Sequence, residues 1–189
     1  PPGRDGTVFG GSYDDNVYAL DVAAGEREWV FGTTNRVVSS PTVANGTLFV
    51  GSDDDSVYAV DTETGEQRWR FETGAAVRSS PTVVGDTVYV GSDDNYVYAL
   101  STADGTERWS VETGDWVTSS PVVVDEMVYV GSNDNHVYAL SAVDGTEQWS
   151  FETESAVDSS PTVVNKTVYI GSNDNHIYAL SAADGTEQW

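Results

Sequence analysis

The residues of this chain that could do chemistry are mainly carboxylates. Asp and Glu number 31, against eight Lys and Arg together and two His, and the formal net charge is −23. Cysteine is absent, which excludes disulfides, thiol catalysis and thiolate metal sites. Strong negative charge favours solubility and disfavours binding to phosphate backbones, so we expect no nucleic-acid partner.

Two kinds of segment could suggest a metal site, and neither has the required pattern. The acidic segments 53–55 and 93–95 lack the twelve-residue ligand spacing and the closing glutamate of a calcium loop. His136 and His176 occupy the same place in two near-identical segments, whereas a zinc site needs three or four converging ligands. We expect no bound metal and interpret the acidic segments as hairpin turns.

Tryptophan recurs at a fixed interval of forty residues. The periodic positions are Trp29, Trp69, Trp109, Trp149 and Trp189. A tyrosine in a Val-Tyr-Ala segment and a Ser-Ser-Pro tripeptide recur with the same period. Fixed periods of this length indicate a repeat architecture, so most of the recurring residues are expected to be scaffold.

Within one period the apolar residues alternate in the way that half-buried strands require. Strands are expected at 37–43, 87–92, 96–101 and 108–112, numbered from two successive repeats. The turn Asn45-Gly46 between the first two strands is a strong hairpin signal; it also belongs to one of two N-glycosylation sequons, whose occupancy stays open. Four short antiparallel strands per repeat predict an all-β fold, a β-propeller of about five four-stranded blades. The expected blades are 1–36, 37–76, 77–116, 117–156 and 157–189, forming a single domain or segment.

The residues around each tryptophan carry a more specific resemblance. The run Ala19-Leu20-Asp21, with Gly25 and Trp29, resembles the tryptophan-docking motif of the pyrroloquinoline-quinone (PQQ) type propeller repeat. Later copies depart from that motif, with Ser101, Ser141 and Ser181 where it prefers Asp. The resemblance implies that all five periodic indoles pack on a neighbouring blade. It also implies that the Ser-Ser-Pro segments line a central channel, with the serines facing water.

The resemblance implies a larger ring as well. Propellers of this family close with about seven or eight blades, so we favour five blades of an incomplete ring over a closed ring of five. A closed ring would place Trp189 against the blade that contains Gly25. An open ring would expose blade faces and strand edges, which invites self-association.

A functional site in a repeat protein must break the repeat. Most of the non-repeating residues lie between the last strand of one blade and the first strand of the next, in loops that the resemblance places on the face used for partner contacts. The candidate contact residues are Trp116, Asp115, Arg78, Asp158 and Arg36. Trp116 is the tryptophan outside the period, and a tryptophan in a loop is typical of an interaction hot spot.

These observations favour a non-enzymatic binding or scaffolding module with a protein or peptide partner, acting at the cell surface or in another extracytoplasmic assembly. We expect no cofactor, since the chain cannot supply the vicinal cysteines common in PQQ enzymes. Two alternatives stay open: a segment of a PQQ-dependent dehydrogenase, and a purely structural surface repeat protein. No run of about eighteen apolar residues is present, so no membrane insertion is expected. The acidic, lysine-poor composition resembles that of proteins from halophilic archaea.

Overall fold

The computed structural model describes residues 6–189 as a series of antiparallel sheets. The described residues form eighteen strands and contain no helix, so none of them lies in a helix that could cross a membrane. Blade 1 contains β1 (Thr7–Gly11), β2 (Asn16–Asp21) and β3 (Arg27–Gly32). Blade 2 contains β4 (Thr42–Ala44), β5 (Thr47–Ser52), β6 (Ser56–Asp61) and β7 (Gln67–Glu72). Blade 3 contains β8 (Thr82–Val84), β9 (Thr87–Gly91), β10 (Tyr96–Ser101) and β11 (Glu107–Glu112). Blade 4 contains β12 (Val122–Val124), β13 (Met127–Gly131), β14 (His136–Ser141) and β15 (Glu147–Glu152). Blade 5 contains β16 (Thr162–Val164), β17 (Thr167–Gly171) and β18 (Ile177–Ser181).

In each blade, neighbouring strands along the chain are neighbours in the sheet. The first hairpin of blade 2 turns at Asn45 and Gly46, whose φ angles are 49° and 71°, because a two-residue turn of this type needs left-handed backbone at both positions. The acidic turn that follows ends at Asp55 with φ 65°, as a hairpin turn requires. The first strand is shorter than the sequence predicts, since β4 begins at Thr42 and the segment from Val37 to Pro41 lies outside the sheet.

Successive blades bury their faces against each other. One face of blade 2, including Phe49, Val57 and Trp69, packs against Val88 and Leu100 of blade 3. The same type of contact joins blades 1 and 2, blades 3 and 4, and blades 4 and 5. The hydrophobic core is therefore a row of inter-blade layers, as expected for a quasi-one-dimensional repeat protein.

The Ser-Ser-Pro segments correct one prediction. The first strands of blades 2 to 5 lie side by side, as an inner wall requires, but the first serine of the tripeptide does not face water. Ser39 is buried, and its Oγ both donates to the Gly51 carbonyl and accepts from the Gly51 amide, each at 2.8 Å. The second serine links blades, since the Ser40 amide donates to Ser80 Oγ at 2.9 Å. These serines serve the scaffold because a buried backbone outside the sheet needs partners.

The two ends of the row of blades do not meet in the described structure. Trp189 is 65% exposed and its ring lies 6.0 Å from that of Tyr169, in its own blade. A Cβ built on Gly25 would have no described atom within 4 Å. The expectation that Trp189 packs on a neighbouring blade is therefore wrong for this fifth copy, and the closed ring of five is not formed.

Candidate partner-binding site

Non-repeating side chains from three inter-blade loops and three hairpin turns come together on one face of the propeller. We call this group the arginine–aromatic strip. Its members are Tyr13, Arg36, Asp53, Arg78, Asp93 and Trp116. Three of the five residues that the sequence singled out, Arg36, Arg78 and Trp116, belong to it.

Backbone hydrogen bonds hold each loop beside the hairpin turn of the following blade. The Asp53 amide donates to the Arg36 carbonyl, and the Asp93 amide donates to the Ala76 carbonyl, both at 2.8 Å. The Asn133 amide makes the equivalent bond to the Trp116 carbonyl, also at 2.8 Å. Because these bonds repeat in every blade, the side chains of the strip stand on a rigid frame, which favours precise binding geometry.

Arg36 forms one end of the strip. Its Nη2 lies 3.0 Å from Asp53 Oδ2. Its guanidinium carbon stands 5.6 Å from the centre of the Tyr13 ring, within the range of a cation–π contact. Arg36 thus joins the turn of blade 1 to the turn of blade 2.

Arg78 forms the centre of the strip and contacts two carboxylates. Its Nε donates to Asp53 Oδ1 at 3.1 Å, and its Nη1 lies 2.6 Å from Asp93 Oδ2. Its guanidinium carbon stands 6.0 Å from the centre of the Trp116 ring. Asp53 therefore lies between two arginines, and Arg78 lies between two aspartates.

Exposure separates the members of the strip into a floor and a surface. The side chains of Asp53 and Asp93 are only 3% and 6% exposed, whereas those of Arg36 and Arg78 are 48% and 36% exposed. Trp116 is 47% exposed. An approaching molecule therefore meets guanidinium groups and aromatic rings, and the carboxylates that hold them lie beneath.

Asp93 has an unusual environment for a carboxylate. Its Oδ1 is buried and has no hydrogen-bond partner among the described residues. Burial raises the pKa of Asp93 above the ordinary value, against the opposing effect of the Arg78 guanidinium, and the charge of Asp53 adds to the increase. Buried carboxylates with incomplete partners are costly, so the strip has a tension that a purely structural surface would not need.

The other two predicted contact residues lie outside the strip. Asp115 Oδ1 accepts a hydrogen bond from the Trp116 amide at 2.8 Å, so this side chain orders the loop beneath the indole. Asp158 accepts a bond from Asn173 Nδ2 at 3.3 Å, further along the same face. The geometry assigns Asp115 a positioning role and places Asp158 in a separate exposed pair.

Sequence reasoning missed Tyr13, Asp53 and Asp93. All three lie in the hairpin turn between the second and third strands of a blade, which was interpreted only as a turn. A signal was present there, since the equivalent positions read Tyr, Asp, Asp, Asn and Asn along the chain. This variation matches that of the inter-blade loops, and the loops and turns are neighbours in space.

The periodic tryptophans occupy a different place, between blades. In blades 1 to 4 the indole Nε1 donates to a backbone carbonyl of the next blade. These bonds are Trp29 to Thr62, Trp69 to Thr102, Trp109 to Ala142 and Trp149 to Ala182, at 3.0–3.1 Å. Each of these rings also lies against a glycine of the next blade. Their partners are other blades, so they are not available to an external ligand.

The described residues do not fit a PQQ site. No group of three or more His, Cys, Asp or Glu within residues 6–189 has an arrangement that could hold the metal ion of such an enzyme, and the chain has no cysteine. The buried Asp53 and Asp93 point to arginines rather than to one another's ligands. We therefore derive no step through a quinone.

Comparison with known protein families identifies the repeat. A family model described as outer membrane protein assembly factor BamB, of the PQQ-like repeat type, matches residues 1–83 and 53–189. Together the two matches span the chain. The chain belongs to this PQQ-like family. A search of curated proteins found no significant match.

Solved structures of PQQ-like and designed proteins have the same fold. BamB from Moraxella catarrhalis superposes with a TM-score of 0.87 at 20% sequence identity, over 97% of this chain and 60% of that one. The computationally designed Ika8 protein superposes with a TM-score of 0.86 at 17% identity, over 97% of this chain and 58% of that one. The PQQ-like chain thus spans about three fifths of these two structures, and at this identity the likeness shows the fold alone.

Proposed function

We propose that this PQQ-like propeller is a non-enzymatic interaction module that binds a protein or peptide partner on the arginine–aromatic strip. The observation that carries the proposal is the contact chain from Tyr13 through Arg36, Asp53 and Arg78 to Trp116, which draws residues from four successive blades. Each member breaks the repeat, so scaffold requirements alone do not account for it.

The chemistry of the strip supports this role. Interfaces between proteins are enriched in Trp, Tyr and Arg and depleted in Lys and Glu at their centres. The exposed part of the strip consists of Tyr13, Arg36, Arg78 and Trp116, all of these enriched types. The rings hold the guanidinium groups from the side and the buried aspartates hold them from below, so little side-chain freedom is left to lose on binding.

The family comparison supports the same class of role. The matching family model is named for an outer membrane protein assembly factor, and we extend from it only the proposal of a protein partner and of an extracytoplasmic location. The sequence offers no nucleic-acid chemistry, since the net charge is −23.

A displayed library of random peptides tests the proposal. The purified chain is expected to enrich peptides whose binding is lost with Trp116→Ala, because this substitution removes the exposed indole at one end of the strip. The matched control is Trp189→Ala, since Trp189 is also exposed but lies far along the chain from the strip. Binding should survive that control.

Two results would count against the proposal. One is a selection that enriches no peptide. The other is a set of peptides that bind the Trp116→Ala variant as well as the original chain, which would place the binding surface elsewhere.

A further inference from the structure

We infer that the strip recognises a carboxylate group of its partner, placed between two aromatic or aliphatic groups. The inference rests on the proposed function and specifies the chemistry of the ligand. It follows from three features of the strip: which charges are exposed, which donors remain, and what lies on either side of them.

The exposed charge of the strip is positive. Both aspartates lie in the floor, with 3% and 6% of their side chains exposed, and both arginines lie at the surface. A partner that approaches within contact distance therefore meets the two guanidinium groups first. Because Asp93 also has a raised pKa, the floor neutralises Arg36 and Arg78 less completely than two ordinary aspartates would.

The guanidinium groups keep donors for a ligand. A guanidinium has three nitrogens and five donor hydrogens in a planar fork. The contacts to the floor use Nη2 of Arg36, and Nε and Nη1 of Arg78. Both arginines contact the same carboxylate of Asp53, so their remaining donors are close together. Paired guanidinium forks match the geometry of a carboxylate better than that of a neutral acceptor.

The aromatic rings define what flanks the carboxylate. Tyr13 lies beside Arg36 and Trp116 lies beside Arg78, so an apolar ring stands at each end of the cationic pair. Apolar groups on both sides of a ligand carboxylate would cover these rings and exclude water from the charged contact, which strengthens it.

The net charge of the chain makes this recognition a local effect. With −23 overall, the long-range field repels an acidic partner, and only contact at the strip is attractive. We therefore expect the association rate with an acidic peptide to rise when salt screens the field. A peptide without acidic groups should show a much smaller change.

The selected peptides of the proposed experiment provide the probe. We expect Asp or Glu beside aromatic or aliphatic residues in most of them. Each peptide is then made again with every Asp and Glu replaced by Asn and Gln, and the dissociation constants are compared. On the original chain the replacement should weaken binding at least tenfold.

Variants of the arginines assign the effect. On Arg36→Gln the acidic and amide peptides should differ by less than about threefold, and this variant is expected to fold because Arg78 still pairs with Asp53 and Asp93. Arg78→Lys, which keeps the charge but loses the fork, should give an intermediate difference. The control is Arg108→Gln, since Arg108 is as exposed as Arg78 and pairs with Asp86 outside the strip; it should behave as the original chain.

The outcomes separate the two proposals. Peptides that depend on Trp116 but contain no acidic group, or that lose nothing with the amide replacement, would overturn the carboxylate inference and leave the proposed function standing. A selection of basic peptides would also overturn it. The absence of any Trp116-dependent peptide would overturn both.

Discussion

Trp69 lies so close to Gly105 of the next blade that a Cβ on this glycine would stand 2.7 Å from indole Cε3. Gly105 has a φ of 72°, so its backbone is also left-handed. The glycine is thus required twice, for the turn and for the approach of the ring. The same pair recurs as Trp29 with Gly65, Trp109 with Gly145 and Trp149 with Gly185.

The first prediction separates these two requirements with asparagine, which tolerates left-handed backbone. Gly105→Asn should lower the free energy of unfolding by about 1–3 kcal/mol, because the new side chain meets the Trp69 ring. Gly25 has nearly the same φ, 68°, but no described atom near its Cβ position. Gly25→Asn should therefore change stability by about 0.5 kcal/mol or less.

Denaturant unfolding followed by circular dichroism measures both variants. Equal losses would mean that left-handed backbone, rather than ring contact, is what the glycine provides.

The second prediction compares two tryptophans of different position. Trp109 is buried and donates to the Ala142 carbonyl at 3.1 Å, so Trp109→Ala should cost about 3–5 kcal/mol. Trp116→Ala should cost less than about 1 kcal/mol, because this ring is half exposed and contacts the surface of Arg78. Reversible denaturation of the two variants provides the test, and similar losses would show that the roles are wrongly assigned.

Much of this architecture could be predicted from the sequence because the period fixes it. The alternation of apolar residues, the Asn45-Gly46 turn and the forty-residue interval predict antiparallel four-stranded blades, and the structure confirms them in blades 2, 3 and 4. The first strand is shorter than predicted because alternation continues beyond the residues that pair. Ser39 is buried because its hydroxyl satisfies backbone groups of Gly51, a tertiary contact that a single strand pattern cannot indicate.

The candidate site could be predicted only in part. The departure from the repeat identifies Arg36, Arg78 and Trp116, but their alignment through Asp53 depends on how two blades are placed side by side. Trp189 shows the converse limit, since its residue type and period predict packing on a neighbouring blade while the described structure leaves it exposed.

The third prediction concerns salt. The chain has 31 carboxylates against eight Lys and Arg, so like charges repel one another in the folded state. The Debye length falls to about 3 Å at 1 M salt, and the melting temperature should therefore rise between low salt and molar KCl. We propose on this basis that the protein works at high salt. A melting temperature that stays flat or falls would contradict the proposal.

The fourth prediction concerns the tyrosines that repeat with the tryptophans. Tyr58 donates to Asp54 Oδ2 at 2.8 Å, and burial together with this hydrogen bond raises the pKa of Tyr58 to about 12 from an ordinary 10.0. A raised pKa in the folded state means that this contribution to stability is complete below pH 10 and is lost as the pH rises towards 12. Tyr98 and Tyr138 make the same bond, to Asp94 and Asp134, and their pKa values are also raised.

Absorbance at 295 nm, measured while circular dichroism shows the native fold, checks this prediction. Tyr58→Phe should remove part of the signal that appears only above pH 11. If the variant instead loses signal centred near pH 10, the Tyr58 hydrogen bond to Asp54 is not maintained in solution.

The most direct test of the proposed function follows the indole N–H signals of ¹⁵N-labelled protein by NMR during titration with a selected peptide. Four periodic indoles donate to backbone carbonyls between blades, while Trp116 and Trp189 are exposed, and single Trp variants assign each signal. Our account predicts that the Trp116 signal shifts in a saturable way and that the Trp189 signal stays in place. A saturable shift of Trp189 or of the inter-blade indoles, with Trp116 unmoved, would show that the partner binds elsewhere.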